Sequence, residues 1–342
     1  GVEKGEVEEE EALSRMSTSD LIHGVISRLF DLLVRPPPAR DGQGGVREEK
    51  RRGRTYAEVE EVKAMEAVMW HAWLPRLRVV MMQKWEPRNE KTTAVVSALL
   101  STYDGIIPPS IFGAVTNQIV LPRLQAAVEA WNPTVERIPV HAWLHPWLPI
   151  LGTDALSTLY PTLRHKLALA LSAWHPSDPS AISVLSPWKG VFDEGSYRAL
   201  LQKHIIPKLK FTLRQLDINP SGQDTKPLAW LYAWKGVIGD VEVAKIVADE
   251  LMPRWLHTLH YWLTTSPAYT EIAEWYAWWK HAFSAGVVRY MRMRVYLVCA
   301  LDMMNTRLDS PDGSVPYPDV EYMMAKAEAD TGRGRGRGRG DG

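Results

Sequence analysis

The chain has 342 residues, and its 40 Lys and Arg are balanced by 40 Asp and Glu, so it carries no overall charge to draw it to nucleic acid or an anionic surface. Its hydrophobic fraction of 46% is that of an ordinary folded protein with a large core. The single Cys299 excludes an internal disulfide framework, no apolar run approaches the ~18 residues of a membrane span, and no signal-peptide pattern is present.

Gly1 rather than Met opens the chain, so a fragment or processed product is expected. Residues 1–16 are acidic through Glu8 to Glu11 and read as a disordered tail. Over 17–35, Ser17-Thr18-Ser19 offer caps to an amphipathic helix with Leu21, Ile22, Val25, Ile26, Leu29, Phe30 and Leu33 on one face. Pro36-Pro37-Pro38 stop it. Residues 36–54 form a linker in which Arg47, Lys50, Arg51, Arg52 and Arg54 make a nuclear-localisation candidate, with a solvated linker as the blander reading. Thr55 and Glu58 form a capping box for the next helix.

From 55 to 307 the chain repeats a phrase: an apolar residue, Pro, usually a cation, then Leu or Trp. The copies are Leu74-Pro75-Arg76-Leu77, Leu121-Pro122-Arg123-Leu124, a looser Tyr160-Pro161-Thr162-Leu163, Ile206-Pro207-Lys208-Leu209 and Met252-Pro253-Arg254-Trp255. Pro75, Pro122, Pro161, Pro207 and Pro253 are separated by 47, 39, 46 and 46 residues, a period characteristic of helical-pair repeats. Three copies close on Trp85-Glu86-Pro87, Trp131-Asn132-Pro133 and Trp174-His175-Pro176, and two close loosely at Ile218-Asn219-Pro220 and Ser266-Pro267. A second phrase begins at Tyr103, Trp188 and Trp234, each 19 residues ahead of a repeat Pro. The expected fold is all-α, with HEAT-like pairs stacked as an α-solenoid. Gly190 to Pro220 reads as one long helix kinked at Pro207. Most of the 15 Trp read as packing wedges.

Chemistry-bearing motifs are scarce. His141 with His145, and His257 with His260, have helix-face spacing, but neither pair has a third ligand in sequence, so no metal is expected. Phosphate loops, dinucleotide fingerprints and nucleophile elbows are absent, and Cys299 reads as a buried small hydrophobe. Neither an enzyme nor a cofactor is implied. The Pro- and aromatic-rich runs 138–149 and 175–181 are either stiff inter-repeat corners, the favoured reading, or presenters of anchors to a partner. In the second case the partner-binding residues are Trp143, His145, Trp147, His175 and Asp178. The cations Arg76, Arg123, Lys208 and Arg254 occupy equivalent positions, so Arg123 and Lys208 join that set if they form a partner-facing ladder; the alternative is that each merely caps or pairs locally with a carboxylate. Residues 308–342 read as a disordered tail ending in a Gly-Arg tract (Arg333, Arg335, Arg337, Arg339) suited to weak RNA contact.

Trp131-Asn132-Pro133, the run Val140-His141-Ala142-Trp143-Leu144-His145-Pro146-Trp147-Leu148-Pro149 and the run Trp174-His175-Pro176-Ser177-Asp178-Pro179-Ser180-Ala181 closely resemble the GC-rich sequence DNA-binding factor-like domain, in particular that of the tuftelin-interacting protein 11 family. Pro187-Trp188-Lys189, Ile206-Pro207-Lys208-Leu209, Ile218-Asn219-Pro220 and Leu301-Asp302-Met303-Met304-Asn305 continue the resemblance over roughly 60–307. It implies a nuclear pre-mRNA splicing factor that acts in disassembly of the intron-lariat spliceosome. In that family a G-patch engages a DEAH-box RNA helicase and the helical domain docks on spliceosomal proteins. No glycine-rich G-patch occurs in this sequence, and the family carries no catalytic residues to transfer. The alternative is a DNA-binding transcription regulator, which the domain's name suggests and the neutral charge disfavours.

Overall fold

The computed structural model describes residues 63–336, save 65, 104–106, 137, 266–267 and 311–313. The acidic tail, the 17–35 helix, the 36–54 linker with its basic cluster, and the Thr55/Glu58 capping box lie outside the described residues. Among those described, every regular element is a helix, as the repeat predicts. The chain divides into two units, the first ending at Leu167 and the second beginning at Ala168.

The repeat proline sits inside a continuing helix, and the backbone accommodates it in two ways. Ahead of Leu74–Lys84 and Leu121–Ala130 the chain takes one π-helical turn, Met69–Trp73 and Thr116–Val120. There Leu74 and Leu121 donate to the carbonyls of Met69 and Thr116, five residues back. Such a widened turn makes room where a proline lacks its donor and its ring crowds the preceding carbonyl. In the fourth and fifth repeats the helix instead breaks for one residue. Ile205 (φ −106°) separates Glu194–His204 from Ile206–Arg214, and Leu251 (φ −106°) separates Asp240–Glu250 from a helix beginning at Met252. The expected Gly190–Pro220 helix is therefore two helices, 194–204 and 206–214. Gly190 at φ +83° forms the turn before them, a backbone conformation that glycine adopts without strain.

Two residues past each Pro a side chain enters the core: Leu77, Leu124, Leu163, Leu209 and Trp255 are all buried. The cation beside it reaches the end of the preceding repeat's helix. Arg123 donates to the carbonyls of Met82 (2.9 Å) and Trp85 (2.6 Å), and Lys208 to those of Leu171, Ser172 and Trp174 (2.8, 2.7 and 2.6 Å). Arg254 donates to Arg214 (2.7 Å) and Leu216 (2.6 Å). The loose third copy has Thr162 at the cation's place, and Lys166, one turn further on, takes the role, donating to Glu129 and Trp131 at 2.6 Å each. After the fifth repeat Arg307 donates to Leu263 (3.1 Å). These are the carbonyls a helix leaves without internal partners at its C-terminal end, where the helix dipole also favours a cation. Burial holds the Arg123 and Lys208 pKa values below their ordinary range.

The sequence predicts a disordered tail from 308, and here the structure differs. The helix Met291–Asp309 ends, residues 314–319 have no regular secondary structure, and a second helix, Val320–Gly336, packs on the first. Val315 is buried, which anchors a segment whose composition alone looks unfoldable. Arg292 links the added helix through Glu321 (3.2 Å) and also pairs with Asp249 of Asp240–Glu250 (3.3 Å). The Gly-Arg tract is thus helical as far as Gly336, and its remainder lies outside the described residues.

Replacing Lys208 with Met removes the donor from three carbonyls at once. We expect a loss of about 1–3 kcal/mol of unfolding free energy in urea titration, whereas Met at the exposed Lys203 changes it by less than about 0.5 kcal/mol.

Candidate functional site

The 138–149 run forms a short helix Val140–Leu144, a 3-10 turn His145–Trp147 and the start of the helix Leu148–Ser157. Trp143 and Trp147 are wholly inaccessible, and their indole Nε1 atoms have no hydrogen-bond partner among the described residues. Both act as apolar wedges, with Trp147 tilted against Trp85 at a centroid distance of 5.1 Å. A 3-10 turn recurs at Ser186–Trp188, where Trp188 is equally buried. Trp147 is therefore placed like Trp188, each ending a 3-10 turn after a proline. In the second unit Trp174 and Trp234 pack edge-on at 5.2 Å.

His141 and His145 lie on one face with rings 5.6 Å apart. Burial lowers both pKa values. Glu90 opposes the shift at His141, and His141 adds to it at His145. Among the described residues no group of three His, Cys, Asp or Glu is placed to hold a metal. Cys299 is buried, and burial raises its pKa.

His175 and Asp178 build the corner after Trp174. The Ser177 N–H donates to His175 Nδ1 (3.2 Å) across Pro176. In the equivalent corners the Thr134 N–H donates to Asn132 Oδ1 (3.1 Å) and the Ser221 N–H to Asn219 Oδ1 (2.9 Å). His175 therefore stands in for the Asn of an Asx-turn, its Nδ1 replacing an amide oxygen, with the ring proton on Nε2. Its ring also meets Trp230 edge-on at 5.7 Å. Asp178 repeats the device across Pro179, accepting from the Ser180 N–H (2.9 Å) and hydroxyl (2.7 Å), and these bonds hold its carboxyl below the ordinary range. The Trp174 indole donates to the Asp178 carbonyl at 2.8 Å.

The residues singled out by sequence thus divide by location. Trp143 and Trp147 are core, Arg123 and Lys208 engage helix-end carbonyls rather than open surface, His145 is half-buried, and His175 and Asp178 are exposed within a stiff corner. Lys166 and Arg307 escaped the sequence reading because neither follows a proline. Leu216 was missed as well: like Trp131 it lies nine residues past its Pro, but it lacks the indole.

If the acceptor at 175 is what matters, His175→Asn will keep thermal stability within about 0.5 kcal/mol of the parent, while His175→Leu will cost about 1 kcal/mol. Paired calorimetric melts of the two variants decide this.

A family model for GC-rich sequence DNA-binding factor-like protein matches residues 25–259. Tuftelin-interacting protein 11 of Gallus gallus is 39% identical over 255 residues, 75% of this chain and 30% of that protein. The same protein of Sus scrofa is 39% identical, and that of Bos taurus 37%, over the same lengths. The matched stretch is therefore under a third of the relatives' length. The family match begins within the 17–35 segment, ahead of the residue near 60 where the motifs begin, and stops short of 307. With the model covering well over half its length, the chain belongs to the GC-rich sequence DNA-binding factor-like family, and within it is similar to tuftelin-interacting protein 11.

Proposed function

We propose that this chain is a non-enzymatic docking scaffold of a nuclear pre-mRNA splicing factor, acting in disassembly of the intron-lariat spliceosome together with a DEAH-box RNA helicase. The helicase contact belongs to a G-patch, which this sequence does not contain. Stacking of the repeats as an α-solenoid is part of the same proposal. Family membership supplies the splicing context. The structural observation that carries the scaffold reading is the inward placement of the repeat's chemistry: Arg123, Lys166, Lys208 and Arg254 all engage the helix end of the preceding repeat. Cations held in that way serve rigidity, and they are withdrawn from phosphate neutralisation, which disfavours the DNA-binding alternative. Among the sequence-selected residues, His175 and Asp178 are exposed on a rigid corner and are the partner-facing ones in this proposal, and the Gly-Arg tract adds a weak RNA contact.

The test is affinity purification of the tagged full chain from nuclear extract, with companion proteins and RNA identified. Recovery of late spliceosomal proteins with lariat intron is the expected result. Recovery of neither, together with salt-resistant, sequence-dependent shifts of GC-rich duplex, overturns the proposal in favour of the DNA-binding reading.

A further inference from the structure

Two copies of the second phrase build a cavity in the second unit. In Trp188-Lys189-Gly190-Val191-Phe192 and Trp234-Lys235-Gly236-Val237-Ile238 the fifth residues, Phe192 and Ile238, line the same space. Its volume is about 460 Å³, and the helix Glu194–His204 forms another of its walls. Lys189 joins the two copies, its Nζ donating to the Gly236 carbonyl at 2.8 Å. Phe192, Tyr197, Leu201 and Val237 are buried in the lining, while Ile206 and Ile238 are half-buried there. The Tyr197 hydroxyl donates to the Leu185 carbonyl at 3.1 Å, so its polar end is already satisfied. A Cβ added at Gly190 or Gly239, both in the lining, would meet nothing within 4 Å, so the space beside them is open.

The charges around this cavity differ in what they still offer a ligand. Lys189 is committed to the Gly236 carbonyl, and Arg198 pairs with Glu194 at 2.5 Å. Glu242, in the first turn of Asp240–Glu250, lines the same cavity half-buried, with no hydrogen bond or ion pair among the described residues. A first-turn carboxylate suits the helix dipole, yet its oxygens stay free to accept from a donor outside the chain. Buried aromatic and aliphatic walls beside one uncommitted anion complement a large apolar group with a cation next to it. The same anion repels phosphate, which sets nucleic acid aside as the occupant.

We propose that this cavity is a docking site for a partner protein segment that inserts an aromatic side chain beside Phe192 and Tyr197 and pairs an adjacent Arg or Lys with Glu242. The proposal goes beyond the splicing reading and does not depend on it. The aromatic group supplies the buried area, and the cation sets which segments are accepted.

The probes are two blocked dipeptides, N-acetyl-tryptophanyl-arginine amide and N-acetyl-tryptophanyl-glutamate amide. Each is titrated into the full chain carrying labelled isoleucine methyls, and the Ile206 and Ile238 methyl signals report on the cavity. The arginine probe is expected to shift both signals with a Kd on the order of 1 mM. The glutamate probe is expected to bind at least about fivefold more weakly. Glu242→Lys is expected to reverse that preference. Gln202→Phe, which places a ring in the cavity from an exposed lining position, is expected to abolish binding of both probes. Unshifted methyls at about 10 mM arginine probe overturn the proposal, as does equal affinity for the two probes. A preference that survives Glu242→Lys, or binding undiminished by Gln202→Phe, overturns it as well. Should either variant fail to fold, the two titrations of the parent decide alone.

Discussion

A cation from one repeat closing the helix of the repeat before it is the interaction on which the rest of this structure depends. Every α-helix ends with carbonyls that have no intrahelical donor, and burying them unmet costs about as much as losing a hydrogen bond for each. A repeated sequence multiplies that problem, because each repeat brings another helix end. Arg123, Lys166, Lys208 and Arg254 meet the need with charged donors, two carbonyls or more at a time. Lysine suits the Leu171, Ser172 and Trp174 cluster because its ammonium offers three donors to a converging set. Arginine instead assigns one terminal nitrogen to each carbonyl, Met82 and Trp85 for Arg123, Arg214 and Leu216 for Arg254. Charge paired with backbone rather than with carboxylates also leaves the join less exposed to a neighbour's titration.

The same residue often supplies both halves of a joint. Trp85 gives its carbonyl to Arg123, lies under that guanidinium at 5.5 Å, and turns its ring against Trp147. Trp174 gives its carbonyl to Lys208 and its ring to Trp234. Hydrogen bond, cation–π contact and aromatic packing thus converge on one position, so an exchange there loses several terms together. At Leu216 the carbonyl contact survives without the ring. The backbone requirement is therefore the more general one, since any residue meets it and only an aromatic meets the other.

This division explains what the sequence could reveal. Proline, tryptophan and the cation after proline are side-chain signatures at fixed spacing, so the repeat, the all-α class and the equivalence of Arg123, Lys208 and Arg254 were legible. Which groups those cations meet was not, because carbonyl acceptors leave no mark on composition. Lys166 was hidden for a related reason: a shift of one helical turn keeps a side chain on the same face while breaking the written phrase. His175 concealed its likeness to Asn132 and Asn219, because ring nitrogen and amide oxygen are alike only as acceptors. The segment after 308 misled through its average polarity, since a single buried valine and a tyrosine between two histidines suffice to seat it.

A chain built this way has a particular relation to function. The features that look reactive in sequence, namely paired histidines, clustered tryptophans and regularly placed arginines, are turned into the joints between helices. What remains outside is geometry: corners stiffened by Asx-type turns across prolines, and grooves between neighbouring helices. One helix face is already covered by this chain, where His260 bonds the Val315 carbonyl and the Tyr317 ring meets His257 and His260. The corners are tied to the helices that follow by charged bonds to backbone, as from Lys166 to the carbonyl of Trp131 and from Lys208 to that of Trp174. Losing one of these cations strips donors from carbonyls of the preceding repeat's helix, so an exchange there reaches past the residue itself into its neighbour.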